Sequence, residues 1–183
     1  MSWERAGGAA AIGPVRIRSA RRYRVYGTES GNMDWERDNE VWRYDPHRPY
    51  SQNISEFLPI FERNYVQGNG RQFWFIIEDE HHIPIGTITY FNVDYRSGQA
   101  EIGLGLGDKT RWGKGYGPEA IRALVEYLFS QPTFVRIYAE TARANQPARR
   151  AFAKAGFSEV GQIFDPRSSG DPWVLLEIWK KRT

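Results

Sequence analysis

"RWGKGYGPEAIRALVEYLFS", residues 111–130, is where the pattern of the chain changes. Gly113, Gly115 and Gly117 alternate with Lys114 and Tyr116, and then Ala120, Ile121, Leu124, Val125, Leu128 and Phe129 recur with helical spacing. The spacing predicts a helix that begins at the glycine run, with Pro118 suited to its first helical position. A strand that runs through a glycine turn into a helix aims backbone N–H groups and the positive end of the helix dipole at one point. That point suits a phosphate, because bare glycine lets the main chain approach anionic oxygens and adopt positive φ. A tight strand-to-helix connection with no ligand is the plainer reading of the same glycines.

Upstream, "FWFIIEDEHHIPIGTITYFNV" holds two β-rich runs split by a charged turn, and "DYRSGQAEIGLGLG" adds a second turn and a third run, an antiparallel meander. Val15 to Arg18 reads as an earlier strand, and Asn32 to Tyr65 as helical turns broken by Pro46, Pro49 and Pro59. Downstream, "FVRIYAET" is another β-type run. Asn145 opens a second helix through Ala148, Ala151, Phe152 and Ala155, closed by Gly156. Runs at Val160 to Phe164 and Trp173 to Trp179 flank the turn-rich "DPRSSGDP". Together these make a mixed α/β domain of the α+β class. Residues 1–13 read as a loose leader, and 14–183 as a single domain.

Composition narrows the functions available. The chain has no cysteine, which removes disulfides, thiolate zinc sites and a cysteine-borne acyl intermediate. His81 and His82 lie in "DEHHIP", most simply a hairpin turn, and lack companion ligands, so no metal is expected. The net charge of +3 is scattered, which asks for no nucleic acid and suits an anionic small ligand. No apolar run is long enough for a membrane span and no secretory leader is visible, so the expected location is cytoplasmic.

Named phosphate motifs can be tested against the loop. Gly115 follows Lys114 where a P-loop needs Ser or Thr, and five residues separate Gly107 from Gly113, one too many; the Rossmann spacing is absent as well. A third pattern fits. "WGKGYG" resembles the pyrophosphate loop of the GNAT acyl-CoA N-acyltransferases, written Q/R-x-x-G-x-G/A, with Gly115 and Gly117 as its glycines and Trp112 in the first place, as in the ribosomal-protein N-terminal (RimJ/RimL-like) branch. Asn145 followed by Gly156-Phe157 resembles the family's N…GF segment, and "AEIG" its central strand. The resemblance spans roughly residues 73 to 180, with a weaker echo in "DWERDNEVWRY".

The resemblance implies a mostly antiparallel twisted sheet of about seven strands flanked by helices, with acetyl-CoA as co-substrate. The main chain of Gly103 to Leu106 would bond the pantetheine arm, with Leu104, Gly105 and Leu106 polarising the thioester. Trp112, Gly113, Lys114, Gly115, Tyr116 and Gly117 would hold the pyrophosphate. Val135 to Thr141 would splay away as the other strand of a parallel pair, and Asn145 would contact pantetheine from that wall. Acyl transfer needs a neutral amine, a polarised carbonyl and a protonated leaving thiolate. Glu101 is the candidate base; pairing with an arginine on the sheet face is its alternative role. Many relatives place a tyrosine seven residues after the asparagine, where this chain has Phe152, so Tyr116, Tyr138 or solvent is left to serve as the acid.

Trp35, Trp42, Tyr44, Tyr50, Phe57, Phe61 and Tyr65, interleaved with acids from Glu29 to Asp45, suit a cationic acceptor, with Trp35 and Trp42 as the substrate candidates. Core packing is the competing role for these aromatics. The acceptor expected from the resemblance is a protein N-terminus. Aminoglycoside 6'-N-acetylation, polyamine or siderophore amines, and a non-catalytic CoA-binding interaction module are the alternatives. Dimers are common in the family, which leaves a homodimer open.

Overall fold

The computed structural model describes residues 9–12, 15–19, 35, 38–45, 59, 72–164 and 172–181. Eight strands form one sheet: β1 (Ala9–Ile12), β2 (Val15–Ser19), β3 (Phe73–Glu78), β4 (Pro84–Asp94), β5 (Gln99–Leu106), β6 (Arg136–Ala142), β7 (Ser158–Ile163) and β8 (Trp173–Trp179), in the spatial order β1-β2-β3-β4-β5-β6-β8-β7. Every neighbouring pair is antiparallel except β5 and β6. A β5-to-β6 parallel step needs a crossover, and helix α1 (Tyr116–Ser130) supplies it. Helix α2 (Gln146–Lys154) joins β6 to β7.

The stretch without a period near the N-terminus contributes β1, which pairs with β2 from Ala9↔Arg18 to Ile12↔Val15 and adds an edge strand ahead of the first one legible in the sequence. Residues 1–8 and 13 of the expected leader lie outside the described residues, as do Glu29, Asp34, Glu36, Tyr50, Phe57, Phe61 and Tyr65 of the acidic and aromatic region.

Side chains alternate across the sheet, so its two faces have separate roles. Ile17, Phe75, Ile77, Ile88, Ala100, Ile102, Ile137, Ala139 and Leu176 are buried on one face, where Ala120, Ile121, Leu124 and Leu128 of α1 join them in a single core. Tyr90 stacks on Phe73 at 4.5 Å within it. The opposite face carries Thr89, Phe91, Glu101, Gly103, Gly105, Tyr138, Glu140 and Glu177, matched across the strands by register.

Helix α1 starts at Tyr116, so Pro118 falls at its third position instead of the first. The first four helical N–H groups have no intrahelical partner, so a residue without N–H is accepted anywhere in that turn. Asn145 caps α2 by accepting from the Ala148 amide at 3.3 Å, and Gly156 beyond its end has φ +98°.

Candidate active site

The parallel pair is short. Its rungs are Gln99↔Arg136, Ala100↔Ile137 and Glu101↔Tyr138, after which β5 continues to Leu106 and β6 to Ala142 with no pairing between them. The strands therefore diverge at Glu101 and Tyr138 and leave a V-shaped slot. Gly107 donates to the Ile85 carbonyl at 2.9 Å, which sets the parity of the β4–β5 ladder. Odd residues of β5 turn their backbone groups to β4, and the N–H groups of Leu104 and Leu106 face the slot. The Leu106 carbonyl there accepts from the Trp112 indole at 2.8 Å.

At the open end of β5 a 3-10 turn, Lys109–Arg111, leads into the glycine run. Gly113 has φ +74°, and Gly115, the N-cap of α1, has φ +97° with no side-chain cap on the helix. Beside Gly113 a Cβ would meet nothing within 4 Å among the described residues, so the loop's face is bare backbone and uncapped helix N–H. Gly117 is different: it lies against Leu104 and Leu106, where a Cβ would make ordinary contacts at 3.5 and 3.6 Å. Lys114 is exposed.

The loop is tied to the β3–β4 turn by groups the sequence reading did not single out. Arg111 donates to the fully buried Asp79 carboxylate at 2.7 Å, and the other Asp79 oxygen accepts the His81 and Ile83 amides, both at 2.9 Å. This is the hairpin turn expected of "DEHHIP". Tyr116 donates its hydroxyl to Glu80 at 2.7 Å, which turns it toward the β3–β4 turn.

Glu101 stands at the closed end of the slot and is only 8% exposed. Among the described residues the expected alternative, an ion pair with an arginine, is not formed: Arg136 donates to Glu177 at 2.6 Å and to Gln99. Instead Asn92 donates to Glu101 at 2.7 Å. Asn92 has φ +47° at an irregularity of β4 between Phe91 and Asp94, and such a bulge re-aims a side chain. Burial is the largest influence on the Glu101 carboxyl and the Glu140 charge adds to it; against the hydrogen bonds from Asn92 and Tyr138, they raise its pKa from 4.5 to about 7. A carboxyl with that value can take a proton near neutral pH. Asn92 is polar and tolerant of positive φ inside an otherwise β-rich run, a signal that was present in the sequence.

The acceptor candidates come to the same face. The Trp42 indole lies on Gly105 and the Trp35 indole on Gly107, so closely that a Cβ on either glycine would collide with the ring. Trp42 donates its indole N–H to the Trp35 carbonyl at 2.9 Å. Lys109, in the 3-10 turn after β5, reaches across to Asp38 at 2.7 Å and Glu40 at 2.9 Å. Gly103, between Glu101 and Gly105, is only half-buried, with Phe91 and Thr89 beside it. Asn145, besides capping α2, donates to Thr141 at 3.0 Å, so both ends of its amide serve the fold of the far wall.

No group of three His, Asp or Glu among the described residues could hold a metal ion, and no described helix is long and apolar enough to cross a membrane.

The acetyltransferase (GNAT) domain model matches residues 26–158. An uncharacterised N-acetyltransferase, p20, from Bacillus licheniformis is 28% identical over 130 residues, 70% of this chain and 72% of that protein. The aminoglycoside N(6')-acetyltransferase type 1 of Klebsiella pneumoniae is 38% identical over 61 residues, a third (33%) of this chain and 30% of that protein. Among solved structures, Mycobacterium smegmatis RimJ in complex with CoA-disulfide superposes with a TM-score of 0.73 at 21% identity, covering 94% of this chain and 86% of that one.

Proposed function

The chain belongs to the GNAT acetyltransferase family and is an acetyl-CoA-dependent acyltransferase; on that premise we propose that residues 14–183 together with β1, which pairs with β2, form one catalytic domain that acetylates a primary amine by direct attack, with a protein N-terminus as the acceptor. The observation that carries this is the end of β5–β6 pairing at Glu101↔Tyr138 while both strands run on. A strand edge left open in this way can hydrogen-bond an extended chain such as pantetheine, and the uncapped start of α1 receives a diphosphate.

In this reading Gly113, Gly115 and the first N–H groups of α1, with Trp112, Lys114, Tyr116 and Gly117 around them, hold the pyrophosphate. The pantetheine runs along Leu104, Gly105 and Leu106 toward Glu101, with Asn145 on the other wall. The Leu104 amide stabilises the oxyanion that develops on the thioester carbonyl, and the Leu106 amide is left to bond the pantetheine arm. Glu101 takes the proton of the acceptor ammonium, which is otherwise mostly retained at neutral pH. Trp35 and Trp42 form the acceptor wall, whose indole faces attract a cation.

The N-terminal acceptor is supported by the Trp-Gly-Lys-Gly-Tyr run and by the extent of the likeness to RimJ. One observation favours a second reading, a small polycation such as an aminoglycoside: Glu140 is exposed beside Glu101 on the acceptor face and offers a second carboxylate. The test is thiol release from acetyl-CoA with a panel of a free N-terminal peptide, the same peptide N-acetylated, spermidine and kanamycin. Turnover confined to the free peptide is the expected result, and turnover confined to the polycations replaces it with the second reading.

A further inference from the structure

We propose that Gly103 sets acceptor selectivity: its bare backbone leaves the room in which the carbon bearing the reacting nitrogen, together with one substituent on that carbon, is seated. The inference rests on the acetyl-transfer reading above and narrows its acceptor from any primary amine to one whose nitrogen-bearing carbon carries a branch, as at a protein N-terminus.

Glycine stands at 103 and 105 within β5 and at 107 just beyond it. Inside a strand glycine weakens the element, and it marks a bulge, the close approach of another part of the chain, or the approach of a ligand. Gly105 and Gly107 have packing causes, since a Cβ on the first would collide with the Trp42 ring and one on the second with the Trp35 ring. Gly86, across the ladder, has one too, because its Cβ would run into the Gly105 carbonyl oxygen. Gly103 has no such cause among the described residues. It is not one of the glycines with positive φ. The ladder passes through it without a break, from Tyr90↔Ile102 to Thr89↔Gly103 to Ile88↔Leu104. A Cβ there would touch Phe91 and Thr89 at 3.4 Å, contact without overlap. What is left is a ligand, and Gly103 is only half-buried.

The strand also fixes where Gly103 stands relative to the chemistry. Leu104 and Leu106 turn their side chains to α1, where Gly117 lies against them, so that side of the slot is filled. A thioester held in the slot as an added strand keeps its carbonyl plane close to the plane of the sheet, and a nucleophile adds from above or below such a plane. The nitrogen therefore arrives from the opposite face, which Glu101 and Gly103 share. Residues two apart on one face are separated by about 7 Å. Gly103 is thus midway between Glu101 and the Trp42 indole on Gly105. A nitrogen that reaches both Glu101 and a carbonyl polarised by the Leu104 amide carries its own carbon over Gly103. Any side chain at 103 would point at that carbon, and hydrogen leaves space for a branch on it.

The experiment is Gly103→Ala assayed with two peptides that differ by one methyl group on the nitrogen-bearing carbon, one beginning with glycine and the other with alanine. The unsubstituted enzyme should acetylate both. In the variant, kcat/KM for the alanine peptide should fall at least about 10-fold further than for the glycine peptide, the scale on which a pocket refuses one carbon. Acetyl-CoA affinity by calorimetry should be unchanged, and the melting temperature should hold or rise, because alanine fits a strand better than glycine where it meets no overlap. An unchanged ratio between the two peptides overturns the proposal. So does a lower melting temperature, which would mean that the fold itself already fills the space, whether or not the enzyme turns over. If the unsubstituted chain acetylates neither peptide, the N-terminal acceptor reading fails separately. Spermidine and its analogue methylated on the carbon beside a primary nitrogen then replace the peptides, and the same fall or constancy of their ratio decides the role of Gly103.

Discussion

A glutamate turned inward on a strand meets two opposing influences: loss of water favours its neutral form, and a donated hydrogen bond favours its charge. At Glu101 burial wins, and the carboxyl titrates at about 7 instead of 4.5. Between those two values the folded chain binds a proton that the unfolded chain does not, so its contribution to stability is full below 4.5 and is lost as pH rises through 7. The loss is roughly 3 kcal/mol at about 1.4 kcal/mol per pH unit. Glu101→Gln should therefore raise the melting temperature at pH 8 and leave it nearly unchanged at pH 4, as calorimetry over that range will show. The same substitution should remove the rise of kcat/KM through pH 7, leaving the slower rise due to the amine's own ionisation. A profile identical to that of the unsubstituted enzyme would remove Glu101 as base. Asn92→Leu deletes the donor that favours the carboxylate, and it should move the acid limb of kcat/KM to higher pH.

The glycine loop shows how one element combines two demands. Gly115 at φ +97° occupies a region where a side chain costs roughly 1–2 kcal/mol, and it is the residue that the proposed function sets against the diphosphate. Gly115→Val should raise the acetyl-CoA Kd by about 100-fold, equivalent to ~2.7 kcal/mol, with far-ultraviolet circular dichroism unchanged. Gly117 lies inside the helix with room for a methyl group. Gly117→Ala should bind acetyl-CoA normally and gain about 0.5–1 kcal/mol of stability from helix propensity. If the two variants behaved alike in calorimetric titration, the distinction drawn between the glycines would fail. The glycines at 113 and 115 thus answer to positive φ, whereas position 117 has room for a methyl group.

At the level of the whole molecule, the glycine loop and the segment bearing Trp35 and Trp42 are fastened to the sheet by contacts between segments far apart in sequence. Asp79 is fully buried and Arg111 is its charged partner, so Arg111→Met leaves a carboxylate stranded in the interior. The expected outcome is a melting temperature lower by several degrees together with weaker acetyl-CoA binding, because the loop after Arg111 loses its anchor. Lys109 is exposed, and its bridges to Asp38 and Glu40 are screened by solvent. Lys109→Met should leave the melting temperature nearly unchanged while raising KM for the amine, since it loosens the segment that carries Trp42.

Periodicity and turn chemistry made the meander, both helices and the glycine loop legible, because each depends on residues close together in the chain: alternation for the strands, helical spacing after Gly117, and Asn145 with Gly156 around α2; the parallel pair was implied by the family resemblance. The candidate base and the two indoles were also legible as residue types. Their relationship was not. Which face of the sheet Glu101 shares, that Asn92 turns onto it from a bulge, that Tyr138 lies across from it, and that Trp42 and Trp35 rest on Gly105 and Gly107 follow from strand register. Register is set by packing between segments as distant as residues 42 and 105, and a composition or a local period carries no information about such pairings. The chain's order thus specified a glycine turn at a helix start and an acyltransferase scaffold, while burial and cross-strand neighbours, which exist only once the sheet has closed, gave Glu101 its proton affinity and its partners.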